Sequence, residues 1–240
     1  MTARTGDGSV PAIQSVERAA KMLGLFTVDE PQLTLGELTT RMGMSKATVH
    51  RYATALRNAG LIRQTGGLYT LGPRVVELAS AALAGLAVVT VAGPYLERLV
   101  TQTGETAVLS VWDGEAPVVV RVDANTSRLV RIVVTTGSRL PLDSAQGKVF
   151  RAFLGASEGD PELDDVRRWR VAHYGAVVEG IGALAAPVFQ GPEIVATVAL
   201  VGTAASIDPD PEAPLARALR DAADALSTEL GFVEPHRRQR

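Results

Sequence analysis

The sequence predicts an α+β protein built in two parts, and three observations lead to that prediction. Apolar residues recur at helical spacing up to about residue 59, in short runs separated by Gly. From Glu105 onward the spacing changes to period two, the mark of strands with one buried face. Charge divides along the same line. Residues 1–75 hold nine Lys or Arg against five Asp or Glu, and the remainder holds 15 against 21, within a net charge of -2. A basic front and an acidic back imply separate partners.

Each front element has its own signal. The first twelve residues are polar and Gly-rich and are expected to be disordered. Ser15 to Thr27 reads as a helix, with Val16, Ala19, Ala20, Leu23 and Phe26 on one face. Thr34 and Glu37 have the spacing of a capping box, which starts a second helix ending near Met42-Gly43. Ser45 then caps a third helix through Ala59, with Val49, Tyr52 or Ala53, and Leu56 turned inward. Gly60 closes it. LIRQTGGLYTL, around Gly66-Gly67, reads as a hairpin. Three helices with a tight Gly turn between the second and third, followed by a hairpin, is the order of a winged helix-turn-helix over residues 13–72.

Pro73 suits the first turn of a new helix. That helix is expected to run as a linker over 73–90, break near Gly93-Pro94 and resume to about Thr103. Leu78 to Leu96 carries no charge. Its Ala, Val and Gly content is too weakly apolar for a bilayer span, so a soluble helix closely packed through small residues is expected. Strands follow in ETAVLSVW and APVVVRVD around Asp113-Gly114-Glu115, and a third in RLVRIVV. Asp143 to Leu154 and Glu162 to Ala172 read as helices, with Asp143 and Ser144 as an N-cap pair and His173 at a helix end. GALAAPVF and IVATVALVG are two more strands. Leu215, Leu219, Leu226 and Leu230 mark a last helix, and residues 232–240 form a basic tail.

The acid-free run RMGMSKATVHR, residues 41–51, carries the chemistry of the front part. Between Arg41 and Arg74 the chain has six Lys or Arg and no Asp or Glu. Double-stranded DNA requires cations facing phosphate, and a helix N-terminus adds free N–H groups. Arg41, Ser45, Lys46, Ala47, Thr48, His50, Arg51 and Arg63 are therefore the candidate DNA-contacting residues. Lys46 and Ser45 sit at the helix start, and Ala47 is small enough to approach a thymine methyl. Thr48 and Arg51 can reach base edges, Arg51 with the fork that matches guanine. His50 can reach phosphate or base, and Arg63 and Gln64 lie on the wing. Tyr52 reads as core rather than contact, and Arg57 as a solvated charge.

Other chemistries find no support. The chain has no Cys, which excludes disulfides, thiolate nucleophiles and Cys-based zinc sites. Its three His residues lack metal-ligand spacing. GIGALA matches a dinucleotide fingerprint but is followed by Pro187 and a β-like run where a helix is needed. AQGKV lacks the first Gly and the closing Ser or Thr of a phosphate loop. No nucleophile elbow is present. No enzyme activity, cofactor or metal is expected. MTARTGDGSVPAIQ lacks the apolar core of a secretory signal, so a cytoplasmic location is expected.

With these residues in view, the chain resembles the IclR family of bacterial transcription regulators. QSVERAAKMLGLF is similar to the family's first helix, and LTLGELTTRMGMSKATVHRYATALRNAGLI to its helix-turn-helix. GGLYTLGPRVVELA is similar to its wing and linker helix. TGETAVLSVWDGEAPVVVRVD, SRLPLDSAQGK and GALAAPVF follow its C-terminal domain in order and kind. The resemblance implies a GAF-like effector-binding and oligomerisation domain over 91–231, homodimers or dimers of dimers, an inverted-repeat operator, and control by a small organic effector. Carried over, the effector pocket falls on Leu142, Ala145, Ile181, Ala183, Ala199 and Val201, an apolar set that suits a partly apolar ligand. Pocket and core strands look alike in sequence, so the same six positions also read as ordinary core. Two departures stand out. The stretch before GALAAPV is short and reduced to VVEG around Glu179, and Asp143 stands where the family often has His. The expected function is therefore a sequence-specific DNA-binding regulator responsive to an effector. The alternative is a constitutive repressor whose C-terminal domain only oligomerises.

Overall fold

A computed structural model describes residues 13–124, 134–155, 159–175 and 180–232. The chain divides into two compact units, Met1–Ala81 and Ala82–Arg240.

The first unit contains α1 (Gln14–Leu23), β1 (Leu33–Thr34), α2 (Leu35–Met42), α3 (Lys46–Asn58), β2 (Ile62–Thr65) and β3 (Leu68–Leu71). The capping box forms as the sequence predicts. The Thr34 N–H donates to Glu37 Oε2 at 2.7 Å, and the Glu37 N–H donates to Thr34 Oγ1 at 3.2 Å. Such a cap contributes about 1 kcal/mol. Helix α2 stops at Gly43, whose φ of 65° places it in the left-handed region that favours Gly. The hairpin closes over Gly66-Gly67, and β1 adds a third antiparallel strand in the order β1-β3-β2. Two residues are too few for β1 to show a period in the sequence. The wing is stitched to the end of α3: the Gly72 N–H donates to the Leu61 carbonyl at 2.8 Å. A side chain on Gly72 would collide with the Gly60 backbone.

Helix α1 ends at Leu23 rather than at Thr27. Val16, expected on its inner face, is 63% exposed, while Met22 is fully buried. Phe26 still reaches the core, from the turn that follows the helix. Next in the chain, α4 (Pro73–Gly85) ends earlier than the expected linker helix. Leu86 adopts an extended conformation and caps a separate short helix, α5 (Ala87–Val91). None of the α4 residues is buried.

The second unit begins with the last residues of α4, followed by α5 and α6 (Gly93–Thr103). Its centre is an antiparallel sheet of β4 (Thr106–Trp112), β5 (Pro117–Asp123), β6 (Ala172–Gly175), β7 (Ile181–Gln190) and β8 (Glu193–Thr203), in the order β5-β4-β8-β7-β6. Helices α6 and α9 (Pro214–Glu229) cover one face, and α7 (Ala145–Phe153) and α8 (Pro161–Trp169) cover the other. The period of two sorts residues between the faces. Leu184, Val198 and Leu200 join the α6/α9 side, while Ala185 and Ala199 join the α7/α8 side.

The helix expected over Glu162–Ala172 ends at Trp169, because Arg170 turns left-handed with φ 54°. Val171 then leads into β6, which starts at Ala172, so His173 lies in a strand and not at a helix end. Ser144 caps α7 alone, accepting from the Gly147 N–H at 3.1 Å. The strand expected in RLVRIVV lies outside the described residues except for Val134. The disordered N-terminus, most of the VVEG segment and nearly all of the basic tail also lie outside them.

Candidate nucleic-acid interface and effector face

Helix α3 is amphipathic in an unequal way. Val49, Ala53 and Leu56 are buried, Thr48 and Tyr52 are partly buried, and Lys46, Ala47, His50 and Arg51 are exposed. Ser45 sets where the helix starts. Its Oγ accepts from the Thr48 N–H at 3.3 Å and lies 2.9 Å from Thr48 Oγ1. The hydroxyls of both residues are thus engaged with each other. The first turn carries no acid, so its free N–H groups and the Lys46 ammonium face outward with no local negative charge. Arg63 is exposed on β2, opposite Thr70 of β3. Gln64 Oε1 accepts from Arg57 Nη1 at 2.9 Å, which ties the wing to the far end of α3 and gives Arg57 a partner that spacing did not reveal.

Arg41 stands differently from the others. Its guanidinium makes two hydrogen bonds to the Glu30 carboxylate, at 2.7 and 2.8 Å. The Arg41 hydrogen bonds hold the Glu30 carboxyl below the usual carboxylate range, and the pairing raises Arg41 in turn. The acid-free stretch in the sequence is therefore not acid-free in space. Glu30 lies outside residues 41–74 and reaches Arg41 only through the fold.

In the second unit the register brings four of the six expected effector residues together. Ala183 lies directly opposite Val201, and Ala185 opposite Ala199. Ala145, Ala183, Ala199 and Val201 share one apolar cluster on the α7/α8 face. Ile181 begins β7 and is partly buried, and Leu142 is 45% exposed; neither joins that cluster. Ala145 and Ala199 are 2% and 1% exposed.

A cavity of about 640 Å³ opens beside the β6 edge, and none of the six lines it. Its walls include Asp143, Lys148, Asp165, Trp169, His173 and Tyr174. Lys148 Nζ lies 2.6 Å from Glu162 Oε1 and donates to the His173 carbonyl at 3.1 Å. Burial, and then the Lys148 charge, push His173 below its ordinary pKa. Sequence spacing does not reveal this cavity, because its walls combine α7 and the residue Asp143 ahead of it, α8, β6, β7 and the loop before α9. Among the described residues no cluster of three or more His, Cys, Asp or Glu could hold a metal ion. No helix among them is long and apolar enough to cross a membrane.

Comparison with known proteins agrees with both halves of the fold. Residues 15–66 match the IclR helix-turn-helix domain, and residues 80–174 match the C-terminal domain of the bacterial transcriptional regulator IclR. The glycerol operon regulatory protein of Streptomyces griseus is 30% identical over 252 residues, covering 91% of this chain and 97% of that one. This chain belongs to the IclR family. The HTH-type transcriptional regulators XynR of Escherichia coli and Rv1719 of Mycobacterium tuberculosis are 34% and 35% identical to it, and the chain spans 60% of the length of each. A crystal structure from Silicibacter sp. TM1040, assigned as an IclR transcriptional regulator, is 26% identical with a TM-score of 0.80, covering 92% of this chain and 98% of that one. An IclR homolog from Microbacterium hydrocarbonoxydans, solved with 4-hydroxybenzoate, shares the fold at 21% identity with a TM-score of 0.73, covering 90% of this chain and 99% of that one.

Proposed function

We propose that this IclR-family chain is a cytoplasmic, sequence-specific DNA-binding transcription regulator that acts as a homo-oligomer. One observation carries the reading: α3, capped by Ser45, buries Val49, Ala53 and Leu56 and leaves Lys46, Ala47, His50 and Arg51 exposed. In a helix-turn-helix the N-terminal part of the second helix enters the major groove. Lys46 then positions the helix on phosphate, and Arg51 reads a base edge. Helix α4 supports the oligomer. It buries none of its residues, and Val76 and Leu78 are 67% and 52% exposed, which suits contact with a second copy. Two-fold pairing favours an inverted-repeat operator.

The test is selection of bound duplexes from random DNA, followed by titration of the selected site. Arg51→Ala weakens binding to that site by about 1–3 kcal/mol and relaxes preference at one base position. Unchanged affinity and unchanged preference would remove Arg51 from the readout.

Control by a small effector is the finer part of the reading. The apolar cluster around Ala145, Ala183, Ala199 and Val201, and the ligand in the Microbacterium homolog, support it. The near-complete burial of Ala145 and Ala199 favours the second reading, a constitutive regulator whose C-terminal unit only oligomerises. A ligand at 100 times its Kd stabilises the folded state by about 2.7 kcal/mol. Thermal melting with and without saturating 4-hydroxybenzoate therefore separates the two readings for that probe.

A further inference from the structure

Helix α1 is outside every DNA assignment made from the sequence, yet the fold brings part of it to the same surface as α3. Ser15 and Arg18 of α1 line one concavity of about 770 Å³ with Thr48, His50, Arg51 and Asn58 of α3. No acid lines it; Glu17, next to Arg18 in the chain, is not among its walls. Nearly every wall residue offers a hydrogen-bonding group, and two of them are Arg. Arg18 is partly buried and lines the concavity, and an arginine in such a position can pack its methylene stem while keeping its charged head in water. Arg41, by contrast, has its guanidinium fork already filled by Glu30.

We infer that Arg18 is a phosphate-positioning residue: with α3 in the major groove, its guanidinium takes a backbone phosphate of the duplex and fixes the register of α3. This rests on the DNA-binding reading and goes beyond it by assigning α1 to the interface. The chemistry favours phosphate over bases. A planar fork matches phosphate oxygens in two bonds, and a cleft on the flank of a groove-bound helix meets the backbone, where contacts position without reading sequence.

The experiment measures affinity against salt for the full chain and for Arg18→Ala and Arg18→Lys, on the selected operator and on an unrelated duplex. Arg18→Ala weakens both duplexes by a similar factor, and the slope of log K against log salt becomes shallower by about 0.9. Arg18→Lys keeps the wild-type slope, because the charge is retained. Thermal melting and sedimentation of each variant accompany the titrations. Wild-type slope and affinity in Arg18→Ala would overturn the inference while leaving the DNA reading intact. Loss of affinity together with loss of the oligomer would also overturn it, by making this face a contact between copies. A wild-type chain that ignores duplex DNA in dilute buffer would sink the DNA reading itself.

Discussion

Helix α3 and strand β8 each divide their residues between two sides, with different consequences. On α3, one side is buried among Met22, Leu38 and Tyr69, and the other is exposed. Residues that build the fold and residues that could face a partner are therefore different residues. On β8 both sides are buried. Val198 and Leu200 meet α6 and α9, and Ala199 meets α7 and α8. A residue there packs the sheet whether or not it also borders a ligand. Substitution should consequently separate stability from binding in the front unit and confound them in the rear one.

The largest expected effect tests the rear unit. Phe150 is fully buried on α7, its ring 5.3 Å from that of Trp112. Phe150→Ala removes that contact and leaves a cavity, costing about 3–5 kcal/mol. The protein has two Trp, Trp112 and Trp169, and both belong to the rear unit, so Trp fluorescence during urea unfolding reports that unit alone. The transition should move to much lower urea. Far-UV circular dichroism should retain a helical signal from the front unit under conditions where the rear one has melted. Simultaneous loss of both signals would show that the two units unfold as one.

Ala199 gives a smaller and sharper test. If the α7/α8 face is packed core at this point, Ala199→Leu inserts bulk where there is no room and costs about 1–3 kcal/mol. If the face opens onto a ligand site, the variant melts near the wild-type temperature and loses the stabilisation a ligand provides. A melt of the purified variant with and without the ligand decides between these outcomes. It also decides whether this unit follows the same rule as α3.

How much of this was legible follows from the same contrast. Caps are local, so the Thr34–Glu37 pair and Ser45 are legible from spacing within one turn, and the helices they start end within a residue of the expected bounds. The hairpin was legible because Gly66-Gly67 must occupy left-handed backbone, with φ 59° and 85°. What depends on distant residues was not legible. Glu30 pairs with Arg41 across the fold, and Arg18 joins the α3 surface from a helix that sequence reading assigned only to packing. The start of β6 reads as the end of a helix because Val171 and Ala172 suit either, and only the left-handed turn at Arg170 separates helix from strand. At Ala145, Ala183, Ala199 and Val201 the sequence leaves pocket and core as equal readings; Ala145 and Ala199 are buried and Ala183 and Val201 partly buried, and burial alone carries no information on whether that face also holds a ligand.

The smallest expected effect concerns His173, where the comparison reaches the charged edge of the rear unit. Its folded-state pKa is lowered, first by burial and then by the Lys148 charge, with Asp208 acting in the opposite direction. An unfolded His titrates near 6.5. As pH falls through that value, the unfolded chain takes up a proton that the folded chain refuses, so stability declines until the folded-state pKa is passed and then levels off. Above about pH 7.5 both states hold His173 neutral and this dependence vanishes. His173→Gln should therefore flatten the decline in melting temperature between about pH 7 and 5 without changing its course at higher pH. An identical decline in the variant would place the proton uptake elsewhere and show that the β6 edge exerts no such control over His173.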